Sequence, residues 1–232
     1  MNGLLSNYGN AMKAAQNALI ERKFEAAGMM LENALRYASD PSERASVQRA
    51  LGHAQRMVGN LAQARAELES AEAVAVDDRD ALGTGVARRQ LAEVAYDRAQ
   101  LLTSDEDVRE REDLLDLADS YVVESYEAML YFPLDYGLEL DATRSITGAL
   151  QFERGNIAKG LGLLRRATME FKEDDNEASY LIVNSLRLMR YSPIDRWKMF
   201  RQILRLISQN KELYRVYRLL ALRALFGLKV KL

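Results

Sequence analysis

The strongest constraint in this sequence is a pattern that occurs twice, at 51–71 (LGHAQRMVGNLAQARAELESA) and at 147–167 (TGALQFERGNIAKGLGLLRRA). Each copy has a glycine inside a helix-favouring run and, seven residues later, a Gly-Asn pair that begins at Gly59 or Gly155. Glycine adopts positive φ without a steric penalty and therefore ends helices, and asparagine is a preferred N-cap. The pattern predicts two antiparallel helical hairpins, each with one tight turn.

Residues that follow the first turn extend this prediction. We expect the Asn60 side chain to cap the second helix, and Gln63, three residues later, to complete a capping box. Ala64 in one copy and Gly160 in the other are small enough for the two helices of a hairpin to approach closely. Apolar residues then recur at i+4 and i+7, which places them on one buried face.

The spacing resembles the tetratricopeptide repeat (TPR) family, whose pattern is W-x2-L-G-x2-Y followed by A-x3-F. The matching positions are Leu51-Gly52, Ala64, Leu68 and Ala71 in one copy, Gly148, Gly160, Leu164 and Ala167 in another, and Ala14-Ala15, Phe24, Ala27, Leu31 and Ala34 in a weaker one. The Trp and Tyr of the pattern are missing. The resemblance implies an all-α, right-handed solenoid of antiparallel helical hairpins with a C-terminal closing helix. A related helical-hairpin solenoid is the alternative.

We interpret the whole chain, 1–232, as one such TPR-like domain. Asp40, Pro41 and Glu43 form a helix-start signal, and Ser192 to Asp195 repeat it near the other end. The predicted hairpins cover 4–37, 43–76, 81–130, 138–171 and 176–208, and the closing helix covers 210–227.

Composition narrows the functional classes. The sequence has no cysteine and no apolar run of membrane-spanning length, and it starts without a signal-peptide pattern, so we expect a cytoplasmic protein that does not span a membrane. Phosphate-binding loops, dinucleotide fingerprints and nucleophile motifs are missing from a sequence with one histidine. We therefore expect no enzyme activity, no catalytic residue, no cofactor and no metal site.

The resemblance implies a scaffold or adaptor that binds a peptide or a partner helix in the concave groove of the solenoid. The first helix of each hairpin should line that groove, with Met12, Gln16, Leu19, Arg49, His53, Arg56, Ser145, Phe152, Ser185 and Leu188 facing the partner. Arg49, His53 and Arg56 share one side of their helix and suit an acidic motif. The alternative for these three residues is an ordinary solvated helix face.

Charge is divided unevenly along the chain. Residues 93–141 carry 15 acidic and 3 basic side chains, whereas 187–232 carry 2 acidic and 12 basic side chains. In the closing helix, leucines occupy too much of the circumference for one buried stripe. We predict a C-terminal contact surface that forms homo-oligomers or makes peripheral contact with a membrane. Its residues are Lys211, Arg215, Arg218, Leu222 and Phe226.

Two alternative functions use other features of the chain. In one, the basic C-terminal region docks on nucleic acid, which we consider the weaker partner class, or on an anionic membrane. In the other, the solenoid is a peptide-sensing regulatory module.

Overall fold

The computed structural model describes residues 2–130, 137–169, 178–209 and 211–228. Within these residues the chain forms eleven α-helices and one short 3-10 helix, Asp105–Asp107, without a strand, which confirms the predicted all-α class. The chain divides into two compact units, Met1–Asp135 and Tyr136–Leu232. The assignment of 1–232 to a single domain stays a prediction.

Six helices build the first unit. In chain order α1 to α6 are Asn2–Ile20, Phe24–Tyr37, Pro41–Val58, Leu61–Asp77, Ala81–Leu101 and Val108–Met129. Each helix packs against the next one, and α3 also contacts α5. This is the packing expected of helical hairpins stacked in sequence order.

The second unit repeats this arrangement. In chain order α7 to α11 are Gly137–Glu153, Ile157–Met169, Ala178–Tyr191, Arg196–Gln209 and Lys211–Leu225. Helix α9 contacts α7, α8, α10 and α11. The helices of both units begin and end within about two residues of the ranges predicted from sequence, because the caps and turns that delimit them are local signals.

The two Gly-Asn turns share one backbone geometry. Gly59 has φ +99° and Gly155 has φ +79°, so both occupy the left-handed region predicted for them. In each turn the asparagine N–H donates to the carbonyl oxygen five residues earlier, at 2.9 Å. These bonds satisfy carbonyl groups at the end of the first helix and turn the chain directly into the second.

The asparagine side chains differ from our expectation. Asn60 makes no side-chain capping bond to α4, and its Nδ2 atom instead donates to Gln55 Oε1 at 2.8 Å. Asn156 contacts Gln151 in the same way, at 3.1 Å. The predicted capping box with Gln63 is therefore wrong, because the Asn60 side chain bonds to Gln55 on the preceding helix instead of capping α4.

The start of α3 follows the predicted signal. Asp40 Oδ1 accepts a hydrogen bond from the Glu43 N–H at 2.8 Å, and Pro41 occupies the first turn. The Glu43 carboxylate reaches back to the Ser39 N–H, also at 2.8 Å. Near α10, the Asp195 N–H donates to Ser192 Oγ at 3.3 Å, one turn before the helix begins.

The apolar core runs from one hairpin into the next. One cluster joins α1, α2 and α3 and contains Ala15, Leu31, Ala34, Val47, Leu51 and Ala54. Another joins α4 to α5 and contains Ala64, Leu68, Leu91 and Val94. None of the helices among the described residues combines the length and the apolar character needed to cross a bilayer.

Candidate functional site

The predicted basic face of α3 contacts α5 within the first unit, through Arg56. Arg56 is only 4% exposed, and its guanidinium lies 3.3 Å from Glu93 Oε2 and 3.3 Å from Asp97 Oδ2 on α5. Arg49 is half-buried beside the same face. The α3 face is therefore covered by α5 at Arg56, and this guanidinium is part of the interior.

Glu93 is held by two guanidiniums. Arg89 Nη1 lies 3.3 Å from Glu93 Oε1, while Arg56 approaches the other carboxylate oxygen. The side chains of Arg56, Arg89 and Glu93 are each no more than 8% exposed. A buried ion pair of this kind needs all of its members, because removing one leaves an uncompensated charge in a medium of low polarity.

His53 is half-buried near these charges. Its ring packs edge-on against Phe24, with 6.0 Å between the ring centroids. Burial and, to a smaller extent, the nearby positive charge of Arg56 together lower the pKa of His53 to about 3, against the opposing effect of Glu93. His53 is therefore a neutral packing residue at physiological pH, so the face does not present three free cations to an acidic motif.

This pKa gives the first prediction, on acid stability. Above pH 6.5 the imidazole is neutral in both states, but between pH 6.5 and about 3 only the unfolded chain binds the proton. Between pH 7 and pH 5, wild type should lose about 2 kcal/mol more unfolding free energy than His53→Gln. Urea denaturation of both proteins at the two pH values measures this difference. Equal losses would mean that His53 titrates normally in the folded protein.

The other residues predicted for the groove in the first unit differ in how far their side chains are buried. Met12 and Leu19 are half-buried and pack against the core cluster of the first hairpin. Gln16 is exposed between them on α1. Met12 and Leu19 therefore stabilise the hairpin and are only partly exposed, whereas Gln16 is exposed.

In the second unit the predicted residues lie mainly inside. Ser145 and Ser185 are 0% exposed and Leu188 is 1% exposed. Ser145 Oγ accepts a hydrogen bond from Arg187 Nη1 at 2.9 Å. Phe152 is half-buried against Tyr191, with ring centroids 4.6 Å apart. Ser145, Ser185 and Leu188 are therefore not exposed on an open surface, and Phe152 is only partly exposed.

The predicted C-terminal contact surface is partly described. Phe226 is 75% exposed and Arg218 is also exposed, whereas Leu222 is half-buried. The side chains of Lys211 and Arg215 lie outside the described residues. Two residues of the predicted surface are therefore exposed: Arg218 on α11 and Phe226 just beyond its end.

An open groove that was not anticipated from sequence lies between α2, α3 and α4. Its volume is about 520 Å³, and it is lined by Glu32, Leu35, Arg36, Arg44, Gln48, Leu51, Gln63 and Glu67. Its lining combines the apolar side chains of Leu35 and the buried Leu51 with charged side chains of both signs. The volume falls in the range of sites that take small molecules or a few side chains of a peptide.

The charges of this groove are only partly satisfied by the chain itself. Among the described residues, Glu32, Arg36 and Arg44 form no ion pair. Partial burial raises the pKa of Glu67, and the neighbouring charge of Glu32 adds to this against a hydrogen bond from Gln48. The groove can therefore accept charged groups of both signs from a ligand.

A sequence signal for the groove exists but is indirect. Glu32 and Arg36 are four residues apart on α2, and Gln63 and Glu67 are four residues apart on α4. Each pair shares one helix face. Packing α2 next to α4, as the second helices of successive hairpins, brings these two faces to one groove. Each helix considered alone shows only polar residues on a solvated face.

Among the described residues, no three His, Asp or Glu side chains are grouped in a way that could hold a metal ion.

Comparison with known proteins supports the fold but does not assign the chain to a family. No protein-family model matches the sequence, and no curated protein matches it. Among solved structures, BtubC (BKLC) from P. vanneervenii is 13% identical, with 99% of this chain and 94% of that chain covered and a TM-score of 0.52. The assembly chaperone of RpL4, Acl4 (residues 1–338), is also 13% identical, with 94% and 96% covered and a TM-score of 0.30. The similarity to BtubC shows a common helical-repeat fold.

Proposed function

We propose that this chain is a non-catalytic scaffold of the TPR type, a right-handed solenoid that binds a peptide segment of a protein partner. The observation that carries the proposal is the groove between α2, α3 and α4, which combines apolar side chains with charged side chains that lack ion-pair partners among the described residues. Helical-repeat proteins use the extended surfaces between stacked hairpins to bind other proteins.

The chemistry of the groove favours a peptide of mixed charge. Glu32 and Glu67 suit a basic side chain, and Arg36 and Arg44 suit a carboxylate, which guanidinium groups bind with paired hydrogen bonds. An apolar partner residue would rest on Leu35, which is half-buried at the groove. The partner that we propose is thus zwitterionic at this site rather than uniformly acidic.

The absence of catalysis is part of the proposal. The single histidine of the sequence, His53, packs against Phe24 and has a pKa of about 3, so it is poorly placed and poorly tuned for proton transfer near neutral pH. The charged side chains of the α3–α5 interior are engaged in ion pairs with each other. Both features support a structural role for the residues that would otherwise be candidates for chemistry.

The second prediction tests the groove. Peptides selected from a random library against the wild-type protein should carry acidic and basic residues around an apolar one. Arg36→Glu with Arg44→Glu should weaken their binding by at least about tenfold, because each arginine contributes charge-assisted bonds. Fluorescence anisotropy with labelled peptides measures the Kd.

A matched control separates this groove from general charge. Lys13 on α1 and Arg109 on α6 are exposed and lie outside the groove, so Lys13→Glu with Arg109→Glu makes the same charge change elsewhere. We expect that double variant to bind like wild type. Equal weakening by both double variants, or full retention by the groove variant, would remove the groove from the proposal.

A further inference from the structure

Four large apolar side chains are exposed at one end of the second unit. Ile194 is 90% exposed in the turn before α10, and Trp197 is 56% exposed in the first turn of that helix. Phe226 and Leu228, just beyond the end of α11, are 75% and 56% exposed. We name these four residues the α10–α11 tip.

The two parts of the tip are adjacent in space. Gly227 ends α11 with φ +74°, and a Cβ atom at this position would lie 3.1 Å from Arg196 Nη1. Arg196 in turn donates from Nε to the Met189 carbonyl oxygen at 3.0 Å, which fixes the start of α10. Trp197 stacks on the buried ring of Phe200, with ring centroids 5.6 Å apart. One part of its indole is therefore packed against the protein, and the rest is exposed to solvent.

Positive charge borders the tip. Lys198 and Arg201 are exposed on α10, and Arg223 is exposed in the last turn of α11. The acidic residue nearest in sequence, Asp195, is bound by Ser192 and by Arg165, whose Nη2 atom lies 2.8 Å from Asp195 Oδ2. The segment 187–232 has ten more basic than acidic residues, from 12 basic and 2 acidic side chains.

We propose that the α10–α11 tip docks on the surface of an anionic lipid bilayer. Tryptophan and phenylalanine partition to the membrane interface, and neighbouring Lys and Arg side chains bind anionic headgroups. The tip combines both features. Lys198, Arg201 and Arg223 would contact headgroups while Trp197 and Phe226 enter the interface.

The side chains of the tip favour lipid over two other anionic partners. Ile194 and Leu228 are aliphatic and cannot stack on nucleic-acid bases, which is what aromatic residues do in single-strand binding. An acidic protein surface would pair with the basic residues and leave the highly exposed Ile194 without an apolar environment. A bilayer supplies headgroup charge and hydrocarbon within a few ångströms of each other.

Trp197 allows a direct experiment, because it is the only tryptophan in the sequence. The full chain is mixed with vesicles of phosphatidylcholine alone or with about one third phosphatidylserine. With the anionic vesicles we expect a blue shift of the Trp197 emission and co-sedimentation of the protein. Both should weaken at high salt, because salt screens the attraction to the headgroups.

Two variants that keep Trp197 test the two contributions. Phe226→Ser with Leu228→Ser should lower the partition coefficient for anionic vesicles at least about tenfold, through lost apolar contact. Arg201→Glu with Arg223→Glu should lower it by at least as much, through lost charge. The matched control is Lys13→Glu with Lys159→Glu, which makes the same charge change at exposed lysines of α1 and α8, and it should bind within about twofold of wild type.

Three outcomes would overturn the proposal. One is an unchanged Trp197 emission together with no co-sedimentation. Another is equal binding to both kinds of vesicle, which would remove the role of the basic residues. The third is a concentration-dependent blue shift without lipid, with dimers in analytical ultracentrifugation, which would make a second copy of the chain the occupant of the tip. None of these results bears on the α2–α3–α4 groove, which is tested separately.

Discussion

Replacement of Glu93 by leucine is expected to lower the free energy of unfolding of the first unit by about 3–5 kcal/mol. The carboxylate of Glu93 bridges Arg56 and Arg89 at 3.3 Å each, and all three side chains are nearly excluded from water. Leucine removes the carboxylate that these two buried guanidiniums share. Arg56 retains its ion pair with Asp97 at 3.3 Å.

The control for this prediction is a salt bridge on the surface. Arg65 and Glu69 are 2.6 Å apart at i, i+4 spacing on α4, but both side chains are 44% exposed. Glu69→Leu makes the same chemical change where water replaces the lost partner, so we expect a loss of about 0.5 kcal/mol or less. Urea denaturation followed by far-UV circular dichroism compares the two variants, and similar losses would contradict a buried ionic network.

A compensated variant separates charge from packing. Arg56→Met and Arg89→Met combined with Glu93→Leu remove the whole triad and keep apolar volume in its place. We expect this triple variant to recover most of the stability lost by Glu93→Leu, because interiors tolerate well-packed apolar replacements of ion networks. Asp97 is 27% exposed and can be hydrated once Arg56 is gone. A triple variant no more stable than Glu93→Leu would show that the network supplies packing that methionine cannot replace.

The ends of the helices could be predicted from sequence because their causes are local. Gly59 and Gly155 need positive φ, and Asp40 caps the helix that begins one residue later, so a window of a few residues contains the whole signal. The Asn60 side chain shows the limit of this reasoning. Its amide has two nearby uses, capping α4 or bonding to Gln55, and the turn geometry selects the second.

The site was harder to predict because burial depends on distant helices. Helical spacing predicts that Arg49, His53 and Arg56 share one side of α3, but only the packed α5, about 40 residues later, buries Arg56 against Glu93. The α2–α3–α4 groove likewise requires three helices at once. In contrast, the exposure of Phe226 follows from a helix with more apolar residues than one buried stripe can hold, and this feature is visible in the sequence itself.

Replacement of Gly160 by alanine is expected to lower the free energy of unfolding of the second unit by about 2–3 kcal/mol. A Cβ atom at this position would lie 2.7 Å from the Gly148 carbonyl oxygen and 2.9 Å from the Phe152 backbone nitrogen. Both are backbone atoms of α7, so no side-chain rotation relieves the overlap. Helices α7 and α8 must instead move apart, which disturbs the contact of Gly148 with Leu164.

Gly162 provides an internal control in the same helix. It is exposed, and nothing lies within 4 Å of a Cβ atom built there, so Gly162→Ala gains helix propensity without a clash. We expect this variant to be more stable than wild type by about 0.5–1 kcal/mol. The two substitutions add the same methyl group two residues apart, yet they should shift the urea midpoint in opposite directions. Shifts of the same sign would mean that α7 and α8 do not approach each other as closely as the Gly148–Gly160 contact requires.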